Sequence, residues 1–159
     1  MGDVIVWARN PSDGNRVQAF VVEKGTPGFE PKKMEGKWSL RMTQNADITL
    51  KDAFVPDNNK LTKAKDFASG TNAVLETSRL VVAWMACGLA AGAYENALKY
   101  TLKRVQFGKP IAQFQLVQER LSRMLANCEF SLALLVSLSK RMDAGKATIG
   151  QVARAKAHV

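Results

Sequence analysis

One histidine and two cysteines in 159 residues leave little from which to build a zinc site, a disulfide framework or a histidine relay. Cys87 and Cys128 lack metal-ligand spacing and read as small core residues in a reducing compartment. His158 has no visible partner. Acidic residues are also scarce, 14 against 23 Lys and Arg, for a net charge of +9. Long apolar runs are missing as well. The longest uncharged stretch, residues 80–94, has 15 residues, short of the roughly 18 expected of a membrane span, and reads as a buried soluble helix. Met1 is followed by a strand-like run rather than by the basic and apolar regions of a signal peptide. Val6 stands where a myristoylation motif wants Ser or Thr. With 47% apolar and 23% charged residues, what remains has an ordinary globular balance.

The hydrophobic period changes partway along the chain. Residues 4–8 form a short apolar run, residues 10–15 are turn formers, and residues 17–22 read as a second strand, which predicts a hairpin. Residues 24–28 make the next turn. In residues 46–51, Ala46, Ile48 and Leu50 alternate with Asp47, Thr49 and Lys51, as a strand requires. Residues 57–75 are polar and read as a connector of the length that carries a binding loop. Beyond it, Leu80, Ala83, Trp84, Cys87, Gly88 and Ala91 fall on one helical face. Thr77 or Ser78 is the expected cap, with the end near Arg104. Gly88 and Gly92 leave a flat strip for a neighbouring helix. After a break at residues 107–110, Val117, Leu121, Met124, Leu125, Cys128, Leu132 and Leu135 predict a second helix ending near residues 143–145. Residues 148–150 open a third. Charge splits at the same place, +2 over residues 1–75 and +7 over residues 76–159. Neither half looks complete, so the chain reads as the middle of something larger, divided into 1–58, 59–75 and 76–159.

The segment from Arg104 to Ile111, followed by Gln115, is the most specific in the chain. A helix ends in arginine, a turn reverses the chain, and a glutamine opens the next helix. A guanidinium at such a corner suits a phosphate, to which its planar fork gives two charge-assisted hydrogen bonds. An arginine that merely offsets the negative end of a helix would leave the same trace.

The run Arg104-x-Gln106-Phe107-Gly108-x-Pro110, with Gln115 after it and Tyr100 before it, resembles the signature of the acyl-CoA dehydrogenase flavoproteins. Upstream, residues 35–41 and the run from Asp47 to Pro56 are similar to that family's middle sheet domain. Val6-Trp7-Ala8-Arg9, Glu23-Lys24-Gly25, Ser78-Arg79 and Ala83-Trp84 resemble the glutaryl-CoA dehydrogenase branch. Residues 40–45, Phe114-Gln115-Leu116 and residues 124–127 resemble the short-chain peroxisomal acyl-CoA oxidases.

The resemblance implies an α+β piece of a larger protein: part of an antiparallel β middle domain, then the first helices of an all-α four-helix bundle. It implies FAD as cofactor and a short-chain acyl-CoA as substrate. The arginine matched by Arg104 binds the FAD pyrophosphate of a neighbouring subunit, and the glutamine matched by Gln115 also contacts it. Phe107 corresponds to a residue packing near that cofactor, and Gln106 belongs to the same motif. The arginine matched by Arg79 lies by the acyl-CoA, and the stretch from Asn72 through Ser78 to Arg79 corresponds to a substrate-contacting segment. The implied reaction is α,β-dehydrogenation, with an electron-transfer flavoprotein or O2 as acceptor. In most relatives the base is a glutamate that would lie beyond Val159. In one branch it precedes the matched arginine, where this chain has Ser78. Glu76, Glu95 and Glu119 read as helix-face acids, so no catalytic residue is expected within the chain. The upstream flavin loops are missing too, so these 159 residues alone are expected to bind FAD weakly and to be inactive.

Arg79 and Arg104 are 25 residues apart, about 37 Å on one straight helix. Two ends serving two active sites call for a tetramer or at least a dimer. The compartment follows the branch: mitochondrial matrix, peroxisome or bacterial cytoplasm. Two other classes compete. A basic nucleic-acid module is disfavoured because the cations spread over several helices with few exposed aromatics to stack bases. A non-catalytic scaffold would need the downstream glutamate to be missing.

Overall fold

The computed structural model describes residues 2–159, with Ala73 described in its backbone alone. Two compact units divide between Ala73 and Val74.

In the first unit, β1 (Val4–Asn10) and β2 (Arg16–Val22) form the expected antiparallel hairpin, with Trp7 opposite Ala19. The turn is tied internally. The Asn10 side chain accepts from the Ser12 N–H and donates to Gln18, whose amide also donates to Asp13 at 2.6 Å. Gln18 is thereby buried with its polar atoms bonded, as a buried amide must be. A second hairpin pairs β3 (Phe29–Lys33) with β4 (Ala46–Leu50), Pro31 opposite Ile48. The alternation in residues 46–51 correctly marks β4, yet Ile48 and Leu50 are exposed in this chain. Strand β3 has no sequence signature, since a proline and two lysines break both pattern and propensity. At Gly28, before β3, φ is +80° and a Cβ would overlap the Lys51 carbonyl, so only glycine fits that turn.

Helix α1 (Phe67–Lys103) begins well before the Thr77 or Ser78 expected as its cap. The cause is Asp66. Its carboxylate accepts from the Ser69 N–H at 2.7 Å, while the Asp66 N–H donates to the Ser69 hydroxyl at 3.1 Å. This reciprocal cap uses serine where glutamate is usual. Phe67 then packs edge-on against Trp7, ring centroids 5.2 Å apart. The Ser69 N–H, with its hydroxyl as the lesser contributor, holds the Asp66 carboxyl below its ordinary value of 3.8. A carboxyl lowered by folding stabilises the fold above the unfolded-state value and loses that contribution as pH falls through the folded one. The first turn of α1 is therefore expected to fray only in acid below the ordinary aspartate range. Asp66→Ala should speed amide exchange in residues 67–71 at neutral pH, and Asp66→Asn, which keeps an acceptor, should do so less. Unchanged exchange in the alanine variant would remove the cap from the account.

The second unit is helical. α1 continues through it and is followed by a short ribbon, β5 (Val105–Gln106) with β6 (Lys109–Pro110), then α2 (Gln115–Asp143) and α3 (Ile149–His158). The stop of α2 follows its sequence signal. Gly145 has φ +65°, its N–H bonds to Met142 O, and the Lys146 N–H bonds to Arg141 O, the paired bonds of a Schellman end. Thr148 and Gln151 make the capping box that starts α3. Ala83, Cys87, Leu135, Leu138, Val152 and Ala155 form the core, flanked by Leu80 and by Trp84, whose indole N–H donates to Ser139.

The stretch 80–94 is buried along one stripe rather than all round. Val81, Val82 and Met85 are exposed, and Leu89 is 75% exposed, because α2 and α3 cover a single side of α1. By length and composition alone, α1 and α2 could each cross a membrane. Among the described residues, none outside the local helix lies within 4 Å of a Cβ built at Gly88 or Gly92, so both positions of the flat strip are open.

Candidate functional site

α1 ends at Lys103. The Arg104 N–H still bonds to Tyr100 O at 2.8 Å, and Arg104 O accepts from the Ile111 N–H at 2.8 Å. Those two bonds close a loop on the helix terminus. Within it, Val105 pairs with Pro110 and Gln106 with Lys109. Phe107 and Gly108, both left-handed at φ +52° and +79°, form the two-residue tip, the backbone pattern of a type I′ hairpin turn. The break expected at residues 107–110 is thus a miniature hairpin. A 3-10 turn over Ile111–Gln113 leads into α2, anchored by the Gln118 side chain donating to Ala112 O.

This path gathers Arg104, Gln106, Phe107 and Gln115 at one corner, all exposed. Among the described residues, no carboxylate or carbonyl bonds the Arg104 guanidinium. The four ion pairs described are Arg16–Asp13, Lys33–Glu35, Lys99–Glu95 and Arg123–Glu119. The charge of Arg104 still lies at the negative end of α1, where it is favoured. The cap position of α2 is Phe114, which has no side-chain cap bond, so the positive end of that helix is uncapped beside the same corner. An untied fork, two carboxamides, a helix N-terminus and an exposed ring suit a phosphate-bearing ligand with a flat part.

The residues matched to a substrate-contacting segment lie inside α1, not at its head, because the Asp66 cap starts the helix earlier. Asn72 is exposed, while Glu76, Ser78 and Arg79 are half-buried. The Ser78 hydroxyl donates to Leu75 O at 3.3 Å, and Glu76 lies about 200° around the helix from it. Glu95 and Glu119 behave as helix-face acids: each bonds at 2.6 Å to the cation four residues on. The Lys99 bond lowers the Glu95 carboxyl below its usual value.

One feature of the corner is not legible as a unit in the sequence. The Phe107 and Phe114 rings meet edge-on at 6.2 Å, and the Lys109 ammonium lies 4.4 Å from the Phe114 ring centroid. Three residues spread over eight positions of broken structure carry no period that would join them.

The family described as Acyl-CoA dehydrogenase, C-terminal domain, matches residues 68–159. Acryloyl-CoA reductase (NADH) of Anaerotignum propionicum is 36% identical over 91% of the chain and 37% of its own length. A subunit of the caffeyl-CoA reductase–Etf complex of Acetobacterium woodii is 32% identical over 97% of the chain and 41% of its own. The solved structure of a glutaryl-CoA dehydrogenase from Mycobacterium smegmatis in complex with FADH2 aligns at a TM-score of 0.88 and 26% identity, covering 97% of this chain and 39% of that one. The chain thus spans about two fifths of the length of the proteins it matches.

Proposed function

Because the chain belongs to the acyl-CoA dehydrogenase family, we propose that the protein carrying it is an FAD-dependent enzyme acting at the α,β-bond of a short-chain acyl-CoA. Its paired strands and following helices are those of the family's middle and C-terminal domains. Support for the substrate class comes from the named relatives, since acryloyl and glutaryl are both short acyl groups on coenzyme A. Two of these relatives are named as reductases, so the same bond can be worked in either direction. The relative from a caffeyl-CoA reductase–Etf complex supports an electron-transfer flavoprotein as redox partner.

The observation that carries the reading is the untied guanidinium of Arg104 beside the uncapped start of α2. When bound, FAD supplies the two-electron chemistry at the acyl chain. In this reading Arg104 gives two charge-assisted hydrogen bonds to its pyrophosphate, and the Gln115 carboxamide donates beside it. Gln106 and Phe107 line the approach, and Arg79, with Asn72 and Ser78, attends the acyl-CoA. Ser78 cannot act as the base, since a hydroxyl bonded into its own helix is no carboxylate. The reading assigns the base to a segment after Val159. Arg79 within α1 and Arg104 just past its end are about 37 Å apart along the helix axis. They therefore serve two active sites of a homo-oligomer.

Anaerobic mixing with a short-chain acyl-CoA should bleach the visible flavin absorbance of the purified full-length protein, and an electron-transfer flavoprotein should restore it faster than O2. A full-length protein that is monomeric by light scattering yet holds FAD normally would contradict the shared site.

A further inference from the structure

Phe107 is held in a conformation that phenylalanine adopts reluctantly. Its φ is +52°, and 91% of the residue is exposed. A left-handed backbone is unfavourable for any residue with a Cβ, and burial within the chain does little to offset it. Backbone bonds secure the base of the hairpin, through the β5–β6 pairing and the Ile111–Arg104 bond. At the tip the holding contacts are side chains. Phe107 meets the Phe114 ring edge-on at an interplanar angle of 86°, and Lys109 sits over that ring. Lys109 has no ion-pair partner among the described residues, so its ammonium is directed to the ring face. Phe114 is also the cap residue of α2, which makes its ring the part shared between the hairpin tip and the helix that begins at Gln115.

From this we infer that Lys109 is a positioning residue for the dinucleotide corner: seated on Phe114, it locks the ring against which Phe107 packs and so holds the hairpin tip beside Gln115. The inference rests on the FAD reading above. Its direct competitor is a Lys109 that touches the ligand phosphates itself.

A double-mutant cycle separates the two, read as FAD titrated into the full-length apoprotein, with circular dichroism confirming the fold. Lys109→Met should weaken FAD binding by about threefold to fivefold, the range of an exposed cation–π contact. Lys109→Arg should recover it to within about twofold, since a guanidinium also stacks on a ring. In a Phe114→Leu background, Lys109→Met should cost nothing more, because its contribution passes through the ring. In a Phe114→Tyr background, which keeps the ring and guards against a leucine variant that fails to fold, the full loss should return. Additive losses in the leucine background, or no loss in Lys109→Met alone, overturn the assignment. Arg104→Ala measured alongside marks which idea has failed. If it keeps its FAD, the cofactor reading itself falls; if it loses FAD while the cycle is additive, only the role of Lys109 does.

Discussion

Arg104→Ala is expected to weaken FAD binding about a hundredfold while leaving the helical fold intact. Two charge-assisted hydrogen bonds from one guanidinium contribute on the order of 3 kcal/mol, and each 1.4 kcal/mol is a factor of ten. Within the chain the side chain bonds to nothing described, so its removal breaks no internal contact. The backbone that shapes the corner is held by Arg104 N and O, which alanine retains. Arg104→Lys should fall between, near tenfold, because an ammonium keeps the charge but not the planar fork. Fluorescence titration of FAD into the apoprotein measures both. A yellow, flavin-saturated alanine variant would reduce Arg104 to a charge that settles the end of α1.

Leu135→Ala is expected to cost the helical unit about 2–5 kcal/mol, the range for emptying a packed leucine site. Leu135 is fully buried among Ala83, Cys87, Leu138, Val152 and Ala155, residues contributed by all three helices. Small neighbours such as Ala83 and Ala155 have no side-chain length with which to refill the space, which argues for the upper part of the range. Leu135→Met, which conserves volume, should cost less than about 1.5 kcal/mol. A urea titration followed by circular dichroism distinguishes them. Equal midpoints for both variants would mean that the three-helix contact is not what holds this unit.

Much of this was open to reading along the chain, and the failures share a cause. The helix period from Leu80 to Ala91, the glycine stop at Gly145 and the helix start at residues 148–150 are local signals, and each marks the element it should. The break after α1 is local too, because the backbone bonds that shape its hairpin join near neighbours in sequence. The start of α1 was hidden in a polar stretch containing Gly70, where an aspartate–serine cap replaces the usual partner. β3 was hidden by its proline and lysines and exists by virtue of pairing with β4.

Periodicity names the face of a helix that wants cover, and along α2 it named Leu132 and Leu135 together. Packing separates them: Leu135 is sealed by α1 and α3, while Leu132, one turn earlier, is 48% exposed. The same holds at the corner, where the break after α1 is legible in the sequence but the Lys109–Phe114–Phe107 contact appears only once the chain has turned. Local sequence acts through the backbone's own few neighbours. Burial and ring contacts depend on what a distant segment brings to the surface, and no pattern within one element carries that information.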